Sequence, residues 1–460
     1  MSHELDKLLI SYEQPDFKER LRKFLHSKAG LSHFGMGTPH IENRRKVEEI
    51  LDEFVKDEGR SDELLAKYTE KFDGVKLTPD QFRISHADLE RAHKEIDTDL
   101  MRSIRQAIKN VRKYQEEIFI ANKKANQHPG IKYTPIKRVG ICVPGGSAPL
   151  PSTVIMTAVP AQVAGVKEIA VVSPPRHKGS IHPVILAVCH ELKIDEVYRI
   201  GGAQAIAALT FSTKTIKEVD KIVGPGNQWV QTAKQLVFGT VGIDSIAGPS
   251  EVLIIANDKA NPAWVAADML SQAEHAPGSA VVFTDSQQLA EKVLDELKRQ
   301  SISPRTCAGG KPCPQVAGLN RVKETIECLK KFGGIVVFNN MDDAIEQANY
   351  FAPEHLEIQC GDGSKKIADK IENAGAIFIG DYSPVAVGDY WAGPSHTLPT
   401  GGSARFFSAL SANDFIKATS IIEYDREMLA KSAEDIIRLA EAEGLDAHAK
   451  SVEIRQEPRR

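Results

Sequence analysis

The stretch RVGICVPGGSAPLPSTVIMTAVPAQVAGVKEIAVVSPP, residues 138–175, decides the fold class. Two short β-branched runs, at 138–143 and 168–173, stand at its two ends. A proline- and glycine-rich turn and a segment of helical length separate them. Strands joined by so long a crossover pair in parallel rather than as a hairpin. The stretch therefore predicts one strand–helix–strand unit of a doubly wound α/β sheet.

The same alternation continues toward the C-terminus. Further strands are predicted at 196–201, 221–224, 251–256, 279–284, 334–338 and 376–380. Because one compact sheet does not need so many strands, we predict two incomplete Rossmann-like parallel sheets that divide near Ser250. The predicted domains are a mostly helical segment over 1–137, a first α/β domain over 138–250, a second over 251–409 and a small helical tail over 410–460. Residues 88–124 are predicted as one long amphipathic helix packed on the main body.

Composition narrows the class of protein. The 460 residues carry 58 Lys and Arg and 62 Asp and Glu, a net charge of −4, which argues against a nucleic-acid partner. The first residues, MSHELDKLL, lack the apolar core of a signal peptide. The longest uncharged stretch, 139–166, holds four prolines and four glycines, which argues against a membrane span. With six cysteines and no CxxC pair, we expect a cytoplasmic protein.

Glycine-rich turns follow three strands of the first predicted sheet. They read PGGS (144–147), GGAQ (201–204) and GPGN (224–227). Ligands of such sheets bind beyond the carboxyl ends of the strands, where N–H groups at a helix start can bind pyrophosphate. None of the turns is a GxGxxG or a Walker A loop, so each alone is equally typical of a tight connection. Together they favour a dinucleotide site without identifying the nucleotide.

A second group of polar residues follows Ser250. Gln272 and His275 share one face of a predicted helix, as metal ligands or with His275 as a favourable charge at the helix end. Glu354 and His355 follow Pro353, where adjacent carboxylate and imidazole groups make an acid–base pair if the backbone bends, and a surface pair if it does not.

Further candidates lie nearer the C-terminus. Residues 380–406 are predicted as a long functional loop with Asp381, Asp389 and His396, and a C-terminal helix carries Glu443 and His448. Imidazole and carboxylate groups suit Zn²⁺. Spacing alone leaves open whether these residues meet.

Eight segments of the chain resemble the histidinol dehydrogenase family. They span Arg138 to Val452 and read RVGICVPGGSAPLPS, GGAQAIAAL, VDKIVGPGN, AGPSEVLIIA, LSQAEH, FAPEHLEI, GDYWAGPSHTLPT and EGLDAHAKSV. The resemblance implies a zinc-dependent enzyme that oxidises L-histidinol to L-histidine through L-histidinal, with two NAD⁺, as the last step of histidine biosynthesis. Domain 138–250 would then bind NAD, and domain 251–409 would hold zinc and the catalytic groups.

The resemblance also assigns residues by motif match. It implies one zinc ion per subunit, and a homodimer with shared active sites in which the tail 410–460 reaches the partner and supplies His448. Glu354 and His355 would be the acid–base pair. The implied zinc ligands are Gln272, His275, Asp389 and His448; the implied NAD contacts are Cys142, Gln204 and Asn227; the implied substrate contacts are Ser250, His355, His396 and Glu443 together with the zinc ligands.

Two residues depart from the family pattern, and two alternatives stay open. Cys142 stands where the family usually has Tyr, and Ser395 where many members have Asn. A related zinc- and NAD-dependent dehydrogenase of another polar alcohol fits these departures, although Glu443 and His396 favour histidinol. A zinc hydrolase in which Glu354 activates metal-bound water is the other alternative, and the glycine-rich turns argue against it.

Overall fold

The computed structural model describes residues 5–28, 38–57, 62–122, 130–145, 149–275, 277–302 and 322–456. The chain divides into two compact units. The main unit comprises Met1–Phe119 and Pro135–Phe415, and the C-terminal unit comprises Ile120–Thr134 and Ile416–Arg460.

The strands of the described residues are short. In chain order they are β1 (Leu9–Ser11), β2 (Ile131–Pro135), β3 (Arg138–Cys142), β4 (Glu168–Val172), β5 (Glu196–Tyr198), β6 (Lys221–Val223), β7 (Gly242–Ile243), β8 (Ser250–Ala256), β9 (Gly278–Thr284), β10 (Gly333–Val337), β11 (His355–Gln359), β12 (Ala376–Ile379) and β13 (Ile416–Ser420).

Helices connect most of these strands. They are α1 (Phe17–Lys28), α2 (Thr38–Lys56), α3 (Asp62–Asp73), α4 (His86–Glu95), α5 (Thr98–Ile118), α6 (Pro151–Ala164), α7 (Pro183–Glu191), α8 (Gly202–Phe211), α9 (Gln228–Val237), α10 (Pro262–Ala273), α11 (Gln287–Ile302), α12 (Val322–Phe332), α13 (Met341–Phe351), α14 (Ser364–Ala368), α15 (Val385–Tyr390), α16 (Arg426–Ala442) and α17 (Asp446–Glu453).

The first sheet of the main unit has five parallel strands in the order β5-β4-β3-β6-β7. Every residue of β3 is buried, as expected for a parallel strand covered on both faces. The chain order reverses between β3 and β6, and ligands of doubly wound sheets bind at such a reversal. Pro144 and Gly145 after β3 and the turn at 224–227 after β6 therefore lie at the natural crevice of this sheet.

The second sheet has six parallel strands in the order β1-β10-β9-β8-β11-β12. The predicted α/β class with two parallel sheets is therefore confirmed. Its chain order reverses between β8 and β11. Ser250 opens β8 and His355 opens β11, so these two residues lie at the amino ends of their strands.

Two predicted elements differ from the structure. The single helix expected over 88–124 is interrupted, because Ile96 has extended backbone and the Asp97 side chain caps α5 by accepting the N–H of Leu100 at 2.8 Å. The part of that prediction over 123–129 lies outside the described residues. The loop expected over 380–406 contains the short helix α15, which carries Asp389.

The C-terminal unit contains the two-stranded sheet of β2 and β13 and the helices α16 and α17. Among its described residues only alanines are buried, namely Ala433, Ala440 and Ala449, while Ile422, Leu439 and Ile454 are 84%, 68% and 55% exposed. No helix among the described residues is long and apolar enough to cross a membrane.

Candidate active site

Glu354 and His355 form a buried corner between α13 and β11. Ala352, the residue after α13, takes a left-handed conformation at φ 50° and ψ 63°, which costs a residue with a Cβ about 1–2 kcal/mol. Pro353 follows, and the strand begins at His355. Both side chains are buried, at 6% and 3% exposure, with His355 Nδ1 3.5 Å from Glu354 Oε2. The backbone thus bends where the sequence left the choice open, and the pair is not a surface pair.

The start of β8 holds this corner. The Glu251 N–H donates to Glu354 Oε2 at 2.8 Å, and the Ser250 hydroxyl also bonds to the Glu354 carboxylate. His355 Nδ1 lies 3.0 Å from the Glu251 carbonyl, so Nδ1 carries a proton and Nε2 is the nitrogen that can exchange one. His355 Nε2 is buried and has no hydrogen-bond partner among the described residues.

Burial and neighbouring charges set the protonation of Glu354 and His355. Burial raises the pKa of Glu354. Burial alone would lower the pKa of His355, but the carboxylates of Glu354 and Asp389 outweigh it and raise that pKa to about 9. Two proton-transfer groups with strongly perturbed pKa values in one buried corner are typical of a catalytic site.

Asp389 faces two imidazoles. Its Oδ1 lies 3.8 Å from His355 Nε2 and 3.9 Å from His396 Nδ1. Burial alone would raise the pKa of Asp389, but His355, His396 and His275 outweigh it and lower that pKa. Asp389 therefore stays ionised and available as an anionic ligand.

The turn that carries His396 is fixed by Ser395, one of the two departures from the family pattern. The buried Ser395 hydroxyl donates to the Met156 carbonyl at 2.9 Å and accepts the N–H of Thr397 at 3.1 Å. His396 Nε2 stands 3.5 Å from the Thr153 hydroxyl. Since Met156 and Thr153 both belong to α6, the helix that follows β3 of the first sheet helps to orient this histidine.

Gln272 lies in the last turn of α10, whereas His275 lies two residues beyond the end of that helix, which is shorter than the spacing predicted. Gln272 is 2% exposed, and its Nε2 has no hydrogen-bond partner among the described residues. His275 Nδ1 is 3.3 Å from the Gln272 carbonyl, which leaves its Nε2 as the free nitrogen. His275 lies near enough to Asp389 and His396 to shift the pKa of each.

This donor set fits a zinc ion. An amide oxygen, an imidazole and a carboxylate are ligands that Zn²⁺ accepts, and the lowered pKa of Asp389 keeps that carboxylate in its ligating form. Across the parts of the chain that the structure describes, no three His, Cys, Asp or Glu side chains are close enough to hold a metal. The remaining candidates, Glu443 and His448, belong to the C-terminal unit, at the end of α16 and on α17, and both are exposed.

The candidate NAD contacts follow strands of the first sheet. Gln204 is buried; its Nε2 lies 3.4 Å from Asp73 Oδ2, and its Oε1 has no partner among the described residues. The exposed Asn227 caps α9 by accepting the N–H groups of Trp229 and Val230. Residues 146–148 of the first glycine-rich turn lie outside the described residues.

Cys142 is a core residue rather than an open thiol. It is 6% exposed, and burial raises its pKa to about 12. A thiol this hard to ionise is a poor nucleophile at neutral pH.

The third glycine-rich turn rests on a buried ion pair that the sequence analysis missed. Gly224 has φ 107°, and a Cβ there would lie 2.3 Å from the Cys142 carbonyl oxygen. Beneath it, Lys234 pairs with Asp244, Lys234 Nζ donates to the Gly224 carbonyl at 3.0 Å, and Asp244 accepts the Gly224 N–H at 2.6 Å. The turn is therefore held by two hydrogen bonds to the members of one buried ion pair.

The main unit has two parallel sheets, with glycine-rich strand ends on the first and a buried acid–base corner on the second. This combination is typical of an α/β oxidoreductase. The family model for histidinol dehydrogenase matches residues 38–456. The histidinol dehydrogenase of Rhodopirellula baltica is 46% identical over 89% of this chain and 86% of its own length. That of Prochlorococcus marinus is 45% identical over 90% of this chain and 92% of its own.

A solved structure agrees with these matches. The crystal structure of histidinol dehydrogenase from Elizabethkingia anophelis superposes with a TM-score of 0.79 at 35% identity, covering 89% of this chain and 91% of that one. The chain belongs to the histidinol dehydrogenase family, NAD-dependent oxidoreductases that catalyse the last step of histidine biosynthesis.

Proposed function

We propose that this chain oxidises L-histidinol to L-histidine through L-histidinal with two NAD⁺, using one zinc ion per subunit. The observation that carries the proposal is the buried Glu354–His355 corner, 3.5 Å between the two groups, with His355 Nε2 facing Asp389. A carboxylate and an imidazole of this kind supply two proton acceptors, His355 for both hydride transfers and Glu354 for the hydration of the aldehyde between them.

Zinc would be held by Gln272, His275 and Asp389 of one subunit and by His448 of a second copy of the chain. When bound, zinc would supply a Lewis-acid centre at which a substrate with nitrogen ligands is oriented for hydride transfer. The lowered pKa of Asp389 supports this role, because only the ionised carboxylate is a good ligand.

His355, in its neutral form, is the base for both hydride transfers, so its raised pKa of about 9 predicts activity that increases toward alkaline pH. Its Nδ1 donates to the Glu251 carbonyl, so the proton from the substrate oxygen goes to Nε2. Glu354 activates the water that hydrates the aldehyde before the second oxidation. In each oxidation NAD⁺ accepts the hydride.

Substrate recognition falls to polar side chains around this corner. His396, turned toward Asp389, and Ser250, bonded to the Glu354 carboxylate, would contact the substrate of their own subunit. Glu443 would accept a hydrogen bond from the imidazole nitrogen that the metal does not use. A site that hydrogen-bonds the ring rejects alcohols that lack it.

NAD would bind along the carboxyl edge of the first sheet, near Cys142, Gln204 and Asn227. The unpaired, buried Gln204 Oε1 supports this placement, because a buried acceptor without a partner is explained by a ligand that donates to it. Since Cys142 is buried, its contribution is to the wall under the coenzyme rather than to the chemistry.

A homodimer with shared sites is part of the proposal. The main unit exposes a run of apolar side chains on β12, on α15 and between them: Ile377, Ile379, Tyr382, Val387, Tyr390 and Trp391. The C-terminal unit buries only alanines among its described residues while Leu439 and Ile454 are exposed. Apolar surface of this kind is typical of an interface. We also place the enzyme in the cytoplasm, where thiols such as those of Cys142, Cys189 and Cys360 stay reduced.

One assay tests the proposal. Purified protein is incubated with zinc, L-histidinol and NAD⁺, and NADH is followed by absorbance. We expect two NADH per histidinol and loss of activity on chelation. NADH formed only with other amino alcohols would indicate a related dehydrogenase, and no NADH with any alcohol would indicate the hydrolase.

A further inference from the structure

Glu251 is a fully buried acid that holds the catalytic corner from the neighbouring strand. Its carboxyl oxygen Oε1 accepts the N–H of Glu354 at 3.3 Å, and its own N–H donates to Glu354 Oε2 at 2.8 Å. Each glutamate is therefore bound through its side chain to the other's backbone. At 4% exposure, the Glu251 side chain is shielded from bulk solvent, so losing these contacts would be costly.

The same carboxyl oxygen reaches a third segment. Glu251 Oε1 also accepts the N–H of Gly401 at 3.0 Å, five residues beyond His396. Glu251 thus joins β8, the Glu354–His355 corner and the segment that carries a substrate-facing histidine.

The two catalytic groups depend on Glu251 in different ways. His355 lies within β11, which pairs with β8 on one side and with β12 on the other, and its ring is held by the Glu251 backbone carbonyl. Glu354 precedes the strand, and its N–H is bonded to the Glu251 side chain. Loss of that side chain should therefore displace Glu354 more than His355.

The protonation state of the Glu251 carboxyl group is consistent with this geometry. Burial, and next the charge of Glu354, raise the pKa of Glu251 to about 8. Two carboxylates this close are not easily ionised together, and the pKa of about 8 keeps Glu251 protonated near pH 7. His355 and Asp389 are the other charged groups that act on Glu354.

We propose that Glu251 is a positioning residue for the aldehyde-to-acid half of the reaction, acting through Glu354. The kinetic part of this proposal rests on the proposed function. The contacts of Glu251 can be tested by amide hydrogen exchange in an enzyme that is not turning over substrate.

Three substitutions separate geometry from charge. Glu251→Gln keeps the acceptor oxygen and resembles the protonated acid. Glu251→Asp keeps the acid but is one methylene too short, and Glu251→Ala removes the acceptor. Oxidation of histidinol, with the aldehyde trapped, and oxidation of supplied histidinal are measured separately. We expect the ratio of the two rates to stay within about threefold of wild type in the Gln variant, and aldehyde oxidation to fall about 10–10²-fold further than alcohol oxidation in the other two.

Glu196→Ala is the matched control, since it removes a carboxylate bonded to Arg138 on the first sheet and should lower stability without changing the ratio of rates. Folding is checked by circular dichroism, and if the Ala variant does not fold, the Asp variant decides. An unchanged ratio in a folded Asp or Ala variant would overturn the proposal, as would a Gln variant as impaired as Ala.

Amide hydrogen exchange gives the second measurement. Peptides covering 352–358 and 398–403 should exchange faster in the Ala and Asp variants than in the Gln variant and wild type. If wild type fails to oxidise histidinol, the proposed function is wrong, and the exchange rates alone decide whether Glu251 holds the corner. Unchanged exchange in every variant would then overturn its positioning role.

Discussion

At the scale of single residues, the bend before His355 is a feature that the sequence alone did not predict. Pro353 indicated that the helix would end, but not that Ala352 would turn left-handed. That conformation is stabilised by contacts distant in sequence: the Pro353 and Glu354 carbonyls accept the N–H groups of Gly375 and Ala376, both at 2.9 Å. The types of the catalytic residues were predictable, whereas their meeting depends on tertiary structure.

Glu354 and His355 should separate the two half-reactions. We expect Glu354→Gln to keep most alcohol oxidation and to slow aldehyde oxidation by about 10²–10⁴-fold, because the water would lose its base. His355→Ala should slow both steps, since each needs a proton taken from oxygen. Transient kinetics with histidinol and with histidinal measure the steps. Equal impairment of both steps in Glu354→Gln would contradict the assigned role.

Cys142 provides a second residue-scale test. Its pKa, raised to about 12, keeps the thiol protonated across the range in which enzymes of this kind are assayed. Cys142→Ser should therefore keep aldehyde oxidation, and iodoacetamide should not inactivate the folded wild type near pH 8. The control is the same treatment in urea, where the thiol is exposed. Loss of aldehyde oxidation in the Ser variant would instead reveal a catalytic thiol.

At the scale of elements, the strands of the parallel sheets were predictable because buried β-branched runs stand out between helices. The three-residue β1 was missed because it is too short to show a pattern. The prediction of a turn or strand start near Pro353 located β11 without showing that it lies in the sheet beside β8. The buried pair of Lys234 and Asp244 that bonds to Gly224 was also not predicted. In the sequence alone, Lys234 is typical of an exposed residue on a helix surface.

The pair of Lys234 and Asp244 should matter for both stability and coenzyme binding. Removing one partner of a buried ion pair leaves an unpaired charge, so Lys234→Met should lower the free energy of unfolding by about 3–5 kcal/mol. It should also weaken NAD⁺ binding, because the Gly224 turn loses its support. Urea unfolding and titration calorimetry measure the two effects.

A surface pair is the control for this substitution. Lys431 and Glu427 lie one turn apart on α16 and are both exposed, so Lys431→Met should cost less than about 1 kcal/mol. Equal losses in the two variants would mean that the Lys234 pair adds nothing beyond ordinary surface charge.

At the scale of the whole molecule, the sequence predicted a polar C-terminal tail but not the second segment of the chain that pairs with it. The structure groups Ile416–Arg460 with Ile120–Thr134, through the pairing of β13 with β2. No local pattern predicts contact between segments so distant in the chain. With only alanines buried among its described residues, this unit has little apolar core of its own, which supports its packing in a dimer.

The shared site can be tested by complementation. If each site combines Gln272, His275 and Asp389 of one subunit with His448 of the other, His275→Ala and His448→Ala should each be inactive alone. In a two-fold mixed dimer, one site then collects both defects and the other collects none. Random pairing on co-expression makes about half of the dimers mixed, so about a quarter of wild-type activity should return.

Isolated mixed dimers make the result decisive. The two variants carry different affinity tags, and dimers that retain both tags are purified and verified by mass. These dimers should show about half of the wild-type activity, because one of two independent sites is intact. A mixture of the separately purified variants, kept from exchanging subunits, is the control and should stay inactive. If His448 instead serves its own chain, every site of a mixed dimer carries one defect, and verified mixed dimers without activity would rule out the shared site.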